Sequence, residues 1–359
     1  MANFISEDDI EQAVLQKLQT DYGFQHLNCF TANAETLPDK SNRIDKRQVI
    51  LTDRLRSAVC RLNPDLPDSA IDAAVDQITQ HRRAISTIAA NSELDALIRN
   101  GFATDYENDQ GRTQTCRVRF IDFNDTSQNE FLAVSQLWIQ GEHGYRRPDI
   151  LLYINGLPLV FIELKNSNVK LKSAYDGNLN DYKKDIPQLF HANAFCILSN
   201  AMETRIGSFN AQWEYFFAWL RIEDEKEKID RAAIAESATS LERAIEGLCN
   251  PAKLLDYIEN FIFYHKETQK IIAQNHQFIG VNRAIEALKQ RQDKNGKLGV
   301  FWHTQGSGKS FSMIFYVRKV FRKLTGNFSF VIITDRNDLA RQVYRNFLHS
   351  KTIAKNEQV

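Results

Sequence analysis

The chain has 359 residues, more than one compact core usually holds, and a length of roughly 150 residues per domain predicts about two domains. Its 45 Lys and Arg residues balance 45 Asp and Glu residues, which excludes a uniformly basic nucleic-acid coat and an acidic solvating tail. Hydrophobic residues make up 43% and charged residues 25%, an ordinary globular composition, and polar residues interrupt the longest apolar stretch, residues 150–164, which excludes a membrane span.

The N-terminal segment MANFISEDDIEQ is acidic and polar, whereas a secretory signal begins with basic residues followed by an apolar run. We therefore expect a cytoplasmic protein with no membrane partner. The five cysteines are odd in number and far apart in the sequence. This pattern is typical of reduced, mostly buried thiols and argues against a disulfide framework or a cysteine metal site.

Helices are predicted over most of the first hundred residues. Ser6 is a suitable N-cap for a segment in which apolar residues recur at helical spacing from Ile10 to Leu18. The same spacing continues through Val59 and again from Ile71 to Ile98. Between these stretches, the segment NPDLPDS predicts the end of one helix and the cap of the next.

From Cys116 onward the apolar residues alternate with polar ones, which predicts strands. The predicted strands are CRVRFIDF, FLAVSQLWI, DILLYI, LPLVFIELK, AFCILSN and EYFFAW. We assign them to the sheet of a first domain, residues 1–222.

Residues 223–255 begin with the charged run EDEKEKIDR and are predicted to form a linker helix region on the surface, at the domain boundary. Residues 256–359 follow a different pattern: a strand GVFWH, a glycine turn, a helix and a strand FSFVIITD. Strand, turn, helix and strand in this order predict a parallel α/β unit.

One candidate site lies on a predicted hairpin whose turn is Asn155-Gly156, a dipeptide that tolerates the positive φ angles of a tight turn. In an antiparallel pair, Asp149 and Glu163 lie nearly opposite each other, and Lys165 shares a face with Glu163. Two carboxylates beside an ammonium suit a hard cation such as Mg²⁺ and phosphodiester hydrolysis. The alternative is an ordinary Glu-Lys pair on a solvated strand edge.

A second candidate site is the segment GSGKS, comprising Gly306, Ser307, Gly308, Lys309 and Ser310. A glycine loop between a strand and a helix presents backbone amides to ATP phosphates, and the helix N-terminus adds partial positive charge. The lysine would reach the β and γ phosphates, and the Ser310 hydroxyl would bind magnesium.

The first glycine of the usual GxxxxGK[ST] pattern is absent, because His303 stands there. A histidine that ends a strand is more often structural than catalytic.

Basic residues flank the first candidate site: Arg146 and Arg147 precede Asp149, and Lys183 and Lys184 follow it in the sequence. Such clusters can follow a DNA phosphate backbone even in a neutral protein. A balanced, solvated surface explains the isolated lysines equally well, so the two arginines carry more weight.

The Asp149 and Glu163-x-Lys165 pattern resembles the PD-(D/E)xK nucleases. The resemblance implies that Asp149 and Glu163 bind metal and that Lys165 positions the attacking water. Nucleases of the RecB-like branch also have an upstream helical acid and a QxxxY motif. Glu11 resembles the first, and the second is represented by Asn178 and Tyr182, with Asn in place of Gln.

Two segments of the second half resemble superfamily 2 helicases and translocases. TDRNDLARQ is similar to motif Ia, and Gln277 in NHQFIGVNRAI resembles the adenine-reading Q motif. Gln277 is alternatively only a polar neighbour of a helix N-cap.

Taken together, the segments IELKNS, WHTQGSGKS and TDRNDLARQ in this order resemble the motor and endonuclease subunit of type I restriction enzymes, the HsdR family. The resemblance implies an α/β fold: a PD-(D/E)xK nuclease domain with a mixed sheet flanked by helices, followed by an incomplete RecA-like parallel α/β motor domain.

The same resemblance implies a Mg²⁺-dependent and ATP-dependent endonuclease that translocates double-stranded DNA with methyltransferase and specificity subunits. The resembled family also uses a Walker B acid and an arginine finger, which we do not identify among these residues. We therefore expect these 359 residues to bind nucleotide but to hydrolyse it poorly.

Other functions stay open at this point. A repair nuclease and helicase of the RecB kind uses the same chemistry, whereas type III restriction subunits place the motor before the nuclease. A catalytically silent module that only binds DNA or a partner would bind no divalent metal at Asp149 and Glu163. A P-loop kinase or GTPase would differ in nucleotide specificity.

Overall fold

The computed structural model describes residues 5–108 and 110–354, so the predicted ranges 1–222 and 256–359 each include a few residues outside it. The strands are β1 (Gln25–Asn28), β2 (Phe102–Glu107), β3 (Thr113–Val118), β4 (Phe131–Ser135), β5 (Ile139–Gln140), β6 (Tyr145–Arg146), β7 (Ile150–Ile154), β8 (Leu157–Leu164), β9 (Phe195–Ser199), β10 (Thr204–Gly207), β11 (Ile262–His265) and β12 (Gln269–Ile272).

The helices are α1 (Glu7–Tyr22), α2 (Thr52–Leu62), α3 (Asp68–Thr79), α4 (Thr87–Asn100), α5 (Asn180–Asp185), α6 (Arg231–Glu236), α7 (Ser240–Ala244), α8 (Pro251–Asn260), α9 (Asn275–Lys289), α10 (Lys309–Lys323) and α11 (Asn337–His349). Two π-helical segments, Ala174–Leu179 and Ile245–Cys249, precede α5 and α8. The fold is therefore a mixture of helices and strands, as predicted for an α/β protein.

The central sheet has six strands in the order β1-β4-β7-β8-β9-β10. Strands β1 and β4 are parallel, as are β8 and β9, and the other neighbours are antiparallel. Every residue of β7 and β8 is buried. Ile150 and Leu152 pack into the core on one face, whereas Leu151 and Tyr153 pack on the other, so both faces are covered. The sheet is mixed, as the sequence predicts.

The N-terminal helix is confirmed. Ser6 caps α1 by accepting a hydrogen bond from the Asp9 amide, and the Asp9 side chain accepts one from the Ser6 amide, which forms a capping box. Helices α2 to α4 confirm the helical spacing near Val59 and from Ile71 to Ile98. Residues 23–51 contain no helix, so the helix expected there is wrong; Lys40 and Asn42 have positive φ angles that a right-handed helix does not allow. Strand β1 was not predicted, because four residues at a sheet edge carry no clear periodicity.

Three features of the predicted sheet differ from the structure. Only residues 116–118 of the strand predicted from Cys116 are in a strand: they end β3, which pairs with β2 in a separate hairpin outside the six-stranded sheet. The segment EYFFAW forms a turn of 3₁₀ helix, Trp213–Tyr215, and joins the sheet only through an isolated bridge from Phe217. Strand β10 was not predicted; it pairs with β9 and forms the last strand of the six-stranded sheet.

The segment 223–255 is not one surface helix. Residues 223–230 are non-helical, and short helical segments follow. Leu248 is completely buried, and a Cβ atom at Gly247 would lie 2.2 Å from the indole nitrogen of Trp219. The expected surface linker is therefore wrong for its second half, where apolar residues outweigh the charged start and pack into the core. The domain boundaries themselves stay a prediction.

In the second half, α10 confirms the helix predicted after the glycine turn, but the predicted strands GVFWH and FSFVIITD are not formed. Val300 and Ile333 are 93% and 89% exposed. A strand needs a hydrogen-bonded neighbour, and neither segment pairs with another strand within the described part of the chain. The expected parallel α/β unit is thus wrong for these residues, and the RecA-like assignment stays a prediction.

The two halves share one hydrophobic core. A single cluster of buried side chains runs from Ile10 in α1 to Phe347 in α11. The cysteines are free thiols, and Cys29, Cys196 and Cys249 are buried. Across the described residues, no helix combines the length and apolar character needed to cross a membrane.

Candidate functional site

The hairpin predicted around Asn155 and Gly156 is confirmed. These residues connect β7 and β8 with φ angles of 51° and 78°. A Cβ atom at Gly156 would lie 2.6 Å from the Leu51 carbonyl oxygen, so the turn also needs glycine for space. Ile150 pairs with Ile162, so the residue before β7 faces the end of β8, as the sequence predicts.

Asp149 immediately precedes β7, and its Oδ2 accepts a hydrogen bond of 2.7 Å from the Leu164 amide. Burial raises the pKa of Asp149 to about 6, although the Leu164 amide and the charge of Lys165 oppose this shift. The hairpin thus holds a half-buried carboxylate at one end of the sheet.

Glu163 lies at the end of β8 and is only 2% exposed. Its Oε1 accepts hydrogen bonds from the Lys165 ammonium, at 3.2 Å, and from the Asn178 amide, whereas its buried Oε2 has no hydrogen-bond partner within the described residues. Burial and then the neighbouring charge of Asp149 raise the pKa of Glu163 well above its usual range, whereas the Lys165 ammonium and the nearby Tyr182 hydroxyl lower it. The Tyr182 hydroxyl has one proton and donates it to the Arg147 carbonyl at 3.0 Å, so it leaves Glu163 Oε2 without a donor. A buried carboxylate oxygen without a partner is costly, so it points to a ligand.

Lys165 lies on the same side as Glu163, as predicted. Its Nζ also donates to the Leu164 carbonyl at 2.8 Å and lies 3.9 Å from a carboxylate oxygen of Glu7. Glu7 was missed by sequence reasoning, since it is one of three acids in the first turn of α1 and nothing local distinguishes it.

Glu11 reaches the same site from α1. It is 6% exposed, and its Oε2 accepts a hydrogen bond from the Gln136 amide. Burial raises the pKa of Glu11 to about 7, and the charge of Asp149 adds to the rise. Gln136 has a φ of 59° and was not predicted as a site residue, because only the folded backbone shows its orientation.

Asn178 and Tyr182 also belong to this site. Asn178 lies in the π-helical segment before α5, a type of helical irregularity that often occurs at functional sites. The buried Tyr182 packs against Phe161 and donates its hydroxyl hydrogen bond to the Arg147 carbonyl at 3.0 Å. Both residues of the predicted motif therefore contact the Asp149 and Glu163 neighbourhood.

A hard cation fits this donor set. Within residues 5–108 and 110–354, no group of three or more His, Cys, Asp or Glu side chains is placed to hold a metal ion. The pair Asp149 and Glu163 nevertheless supplies carboxylate oxygens, including the partnerless Oε2, and Mg²⁺ commonly binds one or two carboxylates together with water and phosphate oxygens.

The predicted DNA contacts differ in their surroundings. Arg146 is paired with Asp181 and Asp185, so its guanidinium is neutralised. Lys183 is half-buried with its ammonium 5.7 Å from the Tyr175 ring, and burial lowers its pKa. Lys184 is exposed.

Arg147 instead lies over the rings of Phe30 and Trp138, with its guanidinium carbon 5.3 Å and 4.9 Å from their centroids. Its positive charge lowers the pKa of both Asp149 and Glu11. Neither aromatic residue was predicted as part of the site.

The glycine loop has the conformation that the sequence predicts. Gly306 and Gly308 have φ angles of 80° and 77°, and α10 begins directly after Gly308, so Lys309 and Ser310 lie in its first turn. The Lys309 ammonium donates to the His303 carbonyl at 2.8 Å. The predicted glycine loop and the helix after it are thus present, although the preceding strand is not formed.

Gln277 holds the glycine loop. It is 3% exposed, its amide nitrogen donates to the Gly308 carbonyl at 3.0 Å, and its oxygen accepts from the Gln274 amide. A neighbouring His276 nitrogen lies 2.9 Å from the Ser307 carbonyl, a contact that the sequence did not indicate. The Gln277 amide is therefore already engaged by protein groups.

Two protein-family models match different parts of the chain. A family model described as the type I restriction enzyme R protein N terminus matches residues 4–215. A model described as SWI2/SNF2 ATPase matches residues 276–359. The first match includes all the carboxylates of the hairpin site, and the second includes the glycine loop.

Curated relatives carry related names. The chain is 36% identical to the type I restriction enzyme HindI endonuclease subunit of Haemophilus influenzae, over 98% of this chain and 33% of that protein. It is 30% identical to the putative type I restriction enzyme MjaIXP endonuclease subunit of Methanocaldococcus jannaschii, over 94% and 34%. The chain thus spans about a third of the length of these relatives.

Proposed function

We propose, since the chain belongs to the family described as type I restriction enzyme R protein N terminus, that Asp149, Glu163 and Lys165 form a Mg²⁺-dependent nuclease site that cleaves DNA phosphodiester bonds. The observation that carries this proposal is the buried Glu163 carboxylate, whose Oε2 has no hydrogen-bond partner within the described residues and which lies beside Asp149 and Lys165.

The alternative of an ordinary surface pair does not fit this geometry. A solvated Glu-Lys pair would leave the carboxylate in water, whereas Glu163 is 2% exposed and carries the repulsion of Asp149. Burying two such groups next to each other costs free energy of folding. Sites that bind a metal or a substrate often contain buried charged groups in spite of this loss of stability.

Each residue has a role that follows from its contacts. Asp149 and Glu163 would hold Mg²⁺, which supplies a Lewis acid and a water of lowered pKa when bound. Lys165, bonded to Glu163 and to the Leu164 carbonyl, is placed to orient the attacking water and to stabilise the negative charge that develops on the phosphate. Glu11 and Asn178 hold the neighbouring side chains in position.

The second part of the proposal concerns ATP. The amides of residues 306–310 and the N-terminus of α10 would bind the phosphates, with Lys309 at the β and γ phosphates and Ser310 on magnesium. The match to SWI2/SNF2 ATPases and the names of the relatives support an ATP-driven type I restriction enzyme. Its partners would be duplex DNA and the methyltransferase and specificity subunits.

The test compares Glu163→Ala with Glu236→Ala, a control that removes an exposed glutamate on α6. Each substitution is made in the whole subunit that carries these residues, since the 359 residues alone are expected to hydrolyse ATP poorly. This subunit is assembled with the methyltransferase and specificity subunits, ATP, Mg²⁺ and unmodified plasmid. We expect Glu163→Ala to slow cleavage by at least about 100-fold while ATP hydrolysis persists, and the control to cut normally.

Calorimetry with Mg²⁺ on the 359-residue chain supplies the second readout. Glu163→Ala should lose the heat of Mg²⁺ binding that the wild type and the control show. Normal cleavage by Glu163→Ala would overturn the nuclease assignment. If the wild type binds no Mg²⁺ and Glu163→Ala cleaves DNA as fast as the wild type, the results would favour a catalytically silent DNA-binding module.

A further inference from the structure

Phe30 is an exposed aromatic residue at the edge of the candidate nuclease site. It follows β1 and is 56% exposed, and its ring centroid lies 5.3 Å from the guanidinium carbon of Arg147. The Trp138 ring contacts the same guanidinium at 4.9 Å, and the Trp138 indole nitrogen donates to the Thr31 carbonyl at 3.1 Å. Both aromatic rings therefore contact the same guanidinium, and the indole hydrogen bond holds Trp138 against the residue that follows Phe30.

The Arg147 guanidinium is held by aromatic rings and forms no salt bridge with a carboxylate of the described residues. Within residues 5–108 and 110–354, no carboxylate oxygen lies within 4 Å of it, in contrast to Arg146, which is paired with Asp181 and Asp185. The Arg147 carbonyl accepts the Tyr182 hydroxyl, which fixes the backbone as well. A positive charge held in this way beside the carboxylates is suited to a phosphate of the bound strand.

We infer that Phe30 is a base-stacking residue: its exposed face receives an unpaired nucleobase of the DNA strand whose phosphate Arg147 holds at the nuclease site. The inference rests on the proposed nuclease function and names a feature of its substrate. Every nucleobase has a π face, so an exposed ring beside a phosphate-binding cation binds single-stranded DNA with little sequence preference. Bases within a duplex already stack on each other and cannot use the ring in the same way.

The inference distinguishes two kinds of DNA. A strand with accessible bases gains both the phosphate contact and the stacking contact, whereas a fully paired duplex gains only the phosphate contact. The alternative is that Phe30 merely covers one side of Arg147. In that case, removing the ring disturbs the cation, and binding weakens equally for both kinds of DNA.

The experiment measures fluorescence anisotropy of a labelled 20-nucleotide single strand and of the matching blunt duplex, without divalent metal so that neither is cut. The variants are Phe30→Ala, Phe30→Trp and Tyr215→Ala in the 359-residue chain. Tyr215 is the matched control because it is 63% exposed and lies near β10, at the opposite edge of the six-stranded sheet from β1.

We expect Phe30→Ala to bind the single strand roughly 5- to 100-fold more weakly than the wild type, and the duplex less than about 2-fold more weakly. Phe30→Trp should retain wild-type affinity, because indole also stacks, and Tyr215→Ala should bind like the wild type.

The inference is overturned if Phe30→Ala binds the single strand normally, if it weakens both probes equally, or if Phe30→Trp is as weak as Phe30→Ala. A lowered unfolding midpoint with equal losses on both probes would likewise identify a purely structural ring. These outcomes are independent of the nuclease assignment, which the cleavage assay of Glu163→Ala tests separately.

Discussion

Asp149 and Leu164 are joined across the β7-β8 hairpin by a hydrogen bond of 2.7 Å, in which the Leu164 amide donates to Asp149 Oδ2. The bond fixes the carboxylate against the backbone segment between Glu163 and Lys165. The same contact satisfies a backbone amide and positions a candidate metal ligand, so its structural and chemical roles can be separated by substitution.

Asp149→Asn is expected to abolish cleavage but to retain stability. The asparagine oxygen can still accept from the Leu164 amide, whereas the negative charge that Mg²⁺ requires is lost. Cleavage should fall at least about 100-fold, and the unfolding midpoint should equal or exceed that of the wild type, because burial raises the pKa of Asp149 to about 6 and so disfavours the charged form that asparagine removes. Asp149→Ala should also destabilise the fold, by about 1–3 kcal/mol, because the amide loses its acceptor. Cleavage by Asp149→Asn at the wild-type rate would contradict the assignment.

Asn178 is expected to act through Glu163. Its amide donates to Glu163 Oε1, so Asn178→Ala removes one of the two donors that orient this carboxylate. Partners that orient a metal ligand typically contribute about 10- to 100-fold to metal affinity or activity. Asn178→Ala should therefore weaken Mg²⁺ binding in calorimetry and slow cleavage within that range.

Asn178→Gln tests the departure from the resembled QxxxY motif. Glutamine keeps the amide donor on a longer side chain, so this variant should retain more activity than Asn178→Ala. Equal activities of the alanine and glutamine variants would show that the amide has no positioning role.

Gln277→Ala is expected to weaken nucleotide binding without changing base preference. Its amide nitrogen is bonded to the Gly308 carbonyl and its oxygen to the Gln274 amide, so it stabilises the loop and is not free to read adenine. The affinities for ATP and GTP should fall by the same factor, roughly 5- to 10-fold for the loss of one buried hydrogen bond. Lys309→Ala serves as the reference for a lost phosphate contact. A selective loss of ATP affinity would instead support the adenine-reading role that the sequence predicts.

Lys270 makes the stability of the fold depend on pH. Its buried ammonium donates to Asn91 Oδ1 at 3.0 Å and to the Asn193 carbonyl, and no carboxylate oxygen lies within 4 Å of it in the described part of the chain. Burial lowers the pKa of Lys270 to about 7, whereas a lysine in the unfolded chain has a pKa of about 10.4. At pH values between these two pKa values, the unfolded chain binds more protons than the folded chain, so the free energy of unfolding rises with pH.

The Lys270 contribution to this rise is up to about 1.4 kcal/mol per pH unit, and Lys270→Met removes it. Urea unfolding of both proteins at pH 7, 8, 9 and 9.5 gives the two slopes, and contributions from other titrating groups cancel in their difference. Identical slopes would show that Lys270 titrates normally in the folded protein.

Much of the hairpin site was accessible from the sequence, because its signals are local. Asn155-Gly156 determines a two-residue turn, and a turn of known length fixes which residues of the two strands face each other. That register alone would place Asp149 opposite Ile162. A register shift between Leu152 and Tyr153, which the sequence did not predict, moves Asp149 opposite Glu163. The glycine loop is equally local, since its positive φ angles and the helix that follows depend on five consecutive residues.

Residues brought to the site from elsewhere in the chain were harder to predict. Glu11 and the Asn178 to Tyr182 motif were found only by resemblance, and Gln136, Phe30 and Trp138 were missed. Their side chains reach the site through the packing of α1, the π-helical segment and the edge of the sheet. The spacing of these residues in the sequence does not show which of their side chains lie close together in the folded protein.

The sequence by itself determined the chemistry of this protein: the acids, the ammonium, the glycine loop and the helices beside them. The tertiary structure decided which predicted strands exist and which residues meet. GVFWH and FSFVIITD have strand patterns but pair with no strand in the described residues, whereas β1 has no clear pattern and pairs with β4. The physical reason is that a strand is stabilised by hydrogen bonds to a neighbour that its own sequence does not specify, whereas a turn or a helix forms its hydrogen bonds within itself.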